Sequence, residues 1–467
     1  MIQLKRKQTY AIAAIAIGIM LAFIVPAVNR IGKPKFEGKT ADEWLDYAES
    51  EFVRRGEHDS SPGSLFHELM MKELTVALAS FGEDTQRNLI RDFLYLKSPS
   101  GFKTKLNNLN NKLPPSVRMT AFADPRIRHS LISDAIRELN PSWNLVEPHI
   151  EPITQKGDQK EIYGLINLLG FVGDGATNGV PFLLQVRTNG FPGVALQSLR
   201  DLEIAAAPAV PALVEDMRVG RVTINHLQIL GTLGAKATEA IPDLESLFDN
   251  PPPGIDSKQI ASVILSIEPD HQKALNHLDE YLNEKSTTQK LEWNDWNYLQ
   301  FISGPNKPAA GLVLKYLDQS KVLSMASGWL IKLDPETGFQ LLHEKMDGLQ
   351  IAQYPTMPSA NPGIASPTTA QLKTLVSSMN YIYLLLQHDP YNEVALRFLN
   401  EKIPSGAFIR HYITALKFCY SDSPGVIEAL NKAESATKDK RELELIKQVR
   451  RHIELNDKLR ELKKNTH

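Results

Sequence analysis

LGFVGDGATNGVPFLL (residues 169–184), LRDLEIAAAPAVPALV (residues 199–214) and LGTLGAKATEAIPDLE (residues 230–245) carry one pattern three times. Their prolines Pro181, Pro211 and Pro242 lie 30 and 31 residues apart. Val180, Val210 and Ile241 stand directly before them, and Leu183, Leu213 and Leu244 stand two residues after. Upstream come Ala176, Ala206 and Ala237, then Val172, Leu202 and Leu233, then Leu169, Leu199 and Leu230. These apolar slots fall at helical spacing broken by one turn. Each proline lies just inside the second helix, where its missing N–H breaks no bond. The small alanines let two helices approach closely. One helical pair has an apolar face too many to bury alone, so it stacks on neighbours. A period of this length built from helical pairs predicts an all-α, right-handed α-solenoid.

Bulk properties bound the function. The net charge of −2 gives no global pull toward nucleic acid or acidic lipid. The single cysteine, Cys419, excludes an intramolecular disulfide framework and a cysteine-based zinc site. Its neighbours Phe418 and Tyr420 point to a buried thiol rather than a reactive one.

No charged residue occurs between Lys7 and Arg30, and the run Ala11 to Val28 is almost wholly apolar. Its length suits the hydrocarbon core of a bilayer. Lys5, Arg6 and Lys7 precede it, which places the N-terminus in the cytoplasm and sends the remainder across; Arg30, Lys33 and Lys35 weaken that orientation. The expected location is the cytoplasmic membrane, single-pass, with the bulk of the chain outside the cytoplasm. A cleaved signal peptide ending near Val25-Pro26-Ala27 is the alternative, giving a secreted or periplasmic protein.

The three segments resemble the "LG..A..AVP.L" units of bacterial HEAT and HEAT-like (phycobilisome-lyase-type) repeat proteins. KFEGKTADEWLDY (residues 35–47) is similar to the short segment that often follows the membrane anchor in them. That resemblance implies an armadillo-type solenoid acting as a protein-binding scaffold, with a lyase-type accessory enzyme or a nucleic-acid-binding protein as alternatives. Within residues 35–47, Thr40 is set to cap a helix with Glu43 as its reciprocal partner, and Trp44 and Leu45 open the apolar face.

The organisation then reads as an anchor or signal peptide (residues 1–34), divergent helical repeats with a basic insertion (35–145), HEAT-like repeats (146–350), a Pro-rich loop (351–369), and C-terminal repeats with a cap (370–467). Within these, Pro99 to Asp124 is the basic, Asn-rich stretch, and Pro355, Pro358, Pro362 and Pro367 mark the loop. Asp334-Pro335, Glu268-Pro269 and the looser Asp389-Pro390 each end one helix and start another. The last helix, about Asp439 to Leu462, mixes basic and acidic residues as a salt-bridged, solvated cap does.

Chemistry has little foothold in the sequence. Gly173-Asp174-Gly175 occupies a repeat-turn slot, not the strand-to-helix turn of a nucleotide fingerprint. The histidines, His271, His277 and His411 among them, form no H-x-x-x-H or H-E-x-x-H pair, so neither a metal nor another cofactor is expected. No catalytic residue and no small-molecule substrate are indicated. Trp293, Trp296 and Tyr298, with Phe301 close by, form an aromatic cluster at near-helical spacing that packs between repeats or anchors a protein partner. They are the candidate partner-binding residues. The expected partner is a protein of unknown identity; nucleic acid is disfavoured by export.

Overall fold

The computed structural model describes residues 35–59, 65–95, 125–173, 175–321, 323–348, 381–402 and 413–465. The apolar N-terminal run, the basic stretch from Pro99 to Asp124 and the Pro-rich loop lie outside them. Among the described residues every regular element is helical, with no strand beyond two isolated bridges. None of these helices is long and apolar enough to cross a membrane. The described residues fall into two compact units, one within 1–88 and 97–135 and the other within 89–96 and 136–467.

In the first unit α1 (Ala41–Asp59) packs on α2 (Leu65–Ser80). The capping box forms as the sequence predicts. The Thr40 amide donates to Glu43 Oε2 at 2.7 Å, and the Glu43 amide donates to Thr40 Oγ1 at 3.3 Å. Trp44 and Leu45 are buried, and the Trp44 indole N–H reaches the Phe36 carbonyl at 3.0 Å. Arg128 donates to Asp46 Oδ1 at 2.8 Å and Glu49 Oε2 at 3.3 Å.

Between Glu83 and Lys156 run α3 (Glu83–Tyr95), α4 (Pro125–Leu139) and α5 (Trp143–Lys156). The repeats follow as α6 (Gln159–Leu169), α7 (Val180–Thr188), α8 (Pro192–Asp201), α9 (Val210–Arg218), α10 (Ile224–Leu233) and α11 (Ile241–Asp249). Next come α12 (Ser257–Ile267), α13 (Gln272–Thr288), α14 (Trp293–Trp296), α15 (Lys307–Tyr316), α16 (Leu323–Leu333) and α17 (Pro335–Gly348). The last are α18 (residues 381–388), α19 (Glu393–Lys402), α20 (Val426–Ala436) and α21 (Lys440–Asn465). From α6 to α13 each helical pair contacts the next. Helix α8 packs on α6, α7 and α10, and α12 packs on α10, α11 and α13.

The repeated slots explain that packing. Leu169, Leu199 and Leu230 are buried, as are Leu183, Leu213 and Leu244; the three prolines sit exposed in the first turns of α7, α9 and α11. The turn of the sequence pattern is realised as a short 3₁₀ helix: Ala176–Gly179, Glu203–Ala209 and Gly234–Ala240. Successive 3₁₀ segments contact one another, and Ala176, Ala206 and Ala237 are buried within them. The alanines therefore ease contact between linkers as well as helices, because side chains at i and i+3 eclipse in a 3₁₀ turn and only small ones fit there.

Polar side chains tie neighbouring pairs together through helix C-terminal carbonyls, which lack intrahelical partners. Ser198 Oγ donates to the Ile166 carbonyl at 2.8 Å, and Ser266 Oγ to the Gly231 carbonyl at 2.6 Å. Ser303 Oγ reaches the same Gly231 carbonyl at 2.6 Å, and Asn306 Nδ2 donates to Leu265 at 2.8 Å. Each bond joins residues at least 32 positions apart. At this node a Cβ on Gly231 would overlap the Phe301 carbonyl oxygen. Gly231→Ala gains helix propensity but forces that backbone away, and overpacking of this kind costs about 1–3 kcal/mol. Chemical denaturation should show a lowered midpoint for this variant. An unchanged midpoint would mean that the contact relaxes freely.

In α21, Ile446, Val449 and Ile453 are buried, while Leu443 and Leu459 are half-buried. Arg450 pairs with Glu434 at 2.9 Å and Arg460 with Asp422 at 3.2 Å, so these two cations are engaged by acids of this chain. Cys419 is fully buried, and burial followed by the charge of Asp389 pushes its thiol up to about 12. Asn456 Nδ2 holds the Cys419 carbonyl at 2.8 Å.

Candidate functional site

The aromatic segment begins where Leu291 pairs with the 319–321 strand-like stretch. Its amide donates to the Gln319 carbonyl at 2.9 Å, and the Lys321 amide donates back to Leu291 at 2.8 Å. That bridge fixes the start of α14. Asp295 then caps it, accepting the Glu292 amide at 2.8 Å through Oδ2 and the Tyr281 hydroxyl at 2.7 Å through Oδ1. Burial and this bond to Asp295 raise the Tyr281 pKa.

The three candidate residues separate here. Trp296 is fully buried, its indole N–H donating to Ser320 Oγ at 3.2 Å. Tyr298 is buried edge-to-face against Tyr281, ring centroids 6.1 Å apart. Trp293 is 54% exposed, beside the Glu292–Lys321 ion pair of 2.5 Å. The cluster is thus a core wedge with one indole presented to solvent, and Trp293 is the member accessible to a partner.

A second polar cluster is internal. Asp216 on α9 pairs with Arg187 from α7, with Arg221 at 3.2 Å and with His226 Nε2 at 3.2 Å. His226 Nδ1 accepts the Thr223 amide at 3.2 Å, which places the ring proton on Nε2, facing Asp216. Sequence reading passed over these residues because no fixed spacing marks a pairing that spans three repeats. Burial first, then the nearby charges of Arg187 and Arg221, lower the His226 pKa from 6.5 to about 4. Below pH 6.5 the unfolded chain takes up a proton that the native ring refuses, so native stability falls as pH drops toward 4. The loss should reach at most about 3 kcal/mol. Urea midpoints between pH 7 and 4.5 check this. His226→Gln should flatten the slope, and an equal slope in both proteins would rule the histidine out as its source.

A third grouping lies where α12 meets α13. Asp256 caps α12, accepting the Lys258 amide at 3.0 Å, and Ser257 follows as the first helical residue. Its hydroxyl lies 2.9 Å from His277 Nε2. The Phe248 ring meets the His277 ring edge-on at 4.9 Å. Lys258 Nζ is held by Asp256 at 2.5 Å and stands 4.4 Å over the Tyr281 ring. His277 appears in the sequence as one histidine among several; the antiparallel turn at Pro269 is what brings it to Ser257. Among the described residues no group of His, Cys, Asp and Glu is arranged to hold a metal ion. No family model, curated protein or solved structure matches the chain.

Proposed function

We propose that this chain is a HEAT-like α-solenoid, tethered by its apolar N-terminal run to the cytoplasmic membrane and serving outside the cytoplasm as a non-enzymatic protein-interaction scaffold. The observation that carries the reading is the threefold repeat, whose equivalent leucines are buried alike and whose helical pairs are bonded to their neighbours through Ser198, Ser266 and Asn306. Stacked pairs of this kind give an extended surface for another chain. Trp293 is the proposed anchor, since an exposed indole supplies large contact area.

A topology experiment tests the tether and its orientation. With a C-terminal tag, the chain should resist carbonate extraction, and protease added to cells with opened outer layers should remove the tag. A tag cleaved only after membrane rupture would overturn the orientation and return cytoplasmic partners, nucleic acid included, to consideration. For the scaffold role, a partner captured in place by crosslinking should be lost on Trp293→Ala with the fold intact. Undiminished capture would move the contact elsewhere.

A further inference from the structure

We propose that Ser257 and His277 form a nucleophile–base dyad that hydrolyses small acyl esters. The Ser257 hydroxyl and His277 Nε2 lie 2.9 Å apart, within the reach a nucleophile and its base require. Both side chains are half-buried, within reach of a small molecule yet shielded from bulk water. Ser257 opens the helix Ser257–Ile267, directly after the capping carboxylate of Asp256. Phe248 packs edge-to-face with the His277 ring, and Lys258 Nζ stands over the neighbouring Tyr281 ring. Burial and the adjacent Lys258 charge lower the His277 pKa, which leaves the ring neutral and able to accept a proton near pH 7.

In the reaction Ser257 Oγ attacks the ester carbonyl carbon while His277 Nε2 takes the hydroxyl proton. The carbon–oxygen bond to the alcohol breaks, and the alcohol leaves with that proton. Water then adds to the acyl-serine, giving its proton to His277, and the carboxylic acid departs as the Ser257 hydroxyl is restored. No oxidant, reductant or metal enters the balance. This activity is additional to the scaffold role and replaces its description as non-enzymatic; its failure leaves that role untouched.

The test uses the full chain in detergent, treated with an alkyl fluorophosphonate and with p-nitrophenyl butyrate. Peptide mass analysis should place one phosphonyl adduct on Ser257, absent in Ser257→Ala. His277→Gln should label about a hundredfold more slowly, the scale of a lost general base. Release of p-nitrophenol should follow the same order among the variants, with circular dichroism confirming that each is folded. A hydrogen bond that merely tethers α12 to α13 predicts no adduct on Ser257, or one that forms as fast in His277→Gln; either result overturns the dyad. Labelling without ester turnover overturns the hydrolysis.

Discussion

Asp216→Ala should destabilise the second unit by about 3–5 kcal/mol, the scale for removing one member of a buried ion pair. The carboxylate is paired with Arg187, Arg221 and His226, which come from three successive repeats. Its side chain is 9% exposed and that of Arg187 11%. Truncation leaves the Arg187 guanidinium in a desolvated position with no carboxylate, and that uncompensated charge is the main cost. Arg221, with its side chain 66% exposed, can turn to water and matters less. The double variant Arg187→Met/Asp216→Leu should therefore recover most of the loss, since a buried pair is often replaceable by apolar groups of similar volume. Urea denaturation of the single and double variants checks both statements. Equal stability of Asp216→Ala and the parent would show that the cluster is solvated and energetically idle.

Trp296→Ala should cost about 3–5 kcal/mol, the range for deleting a large buried aromatic, whereas Trp293→Ala should stay within about 0.5 kcal/mol of the parent. The contrast follows from placement. Trp296 is fully enclosed and bonded to Ser320, while Trp293, three residues earlier, is more than half exposed. Thermal melts of the two variants side by side give the comparison. A similar loss for both would mean that Trp293 is covered by another part of the chain, and it would withdraw Trp293 as a partner anchor.

The helical character and the buried slots were legible because a pattern at a fixed period writes the same burial demand into the chain three times. Leu183, Leu213 and Leu244 could be read as core before any coordinates, and all three are buried. Proline carried similar information: Pro269 and Pro335 break helices where the structure breaks them. The linkers were read as turns but fold as 3₁₀ helices, a difference that depends on tertiary contact more than on local propensity. The aromatic cluster was legible as a cluster but not in its division. Trp293 and Trp296 share a residue type and a segment, and only the Leu291–Ser320 bridge decides which indole faces inward. Asp216, His226 and Ser257 left no trace in the sequence pattern, because their partners come from other helices at irregular separations.

Cys419 gives the molecule a built-in clock for its C-terminal end. As the single cysteine, fully enclosed and with its thiol pushed up to about 12, it is shut off from alkylating reagents while its surroundings stay closed. Modification then proceeds only through the fraction of molecules in which that neighbourhood has opened, so its rate in native buffer reads the free energy of opening directly. The Asn456 bond to the Cys419 carbonyl fastens α21 over this point. The last helix is thus the gate whose lifting the thiol records, and the stability of its attachment can be followed without denaturant, independently of the helices upstream.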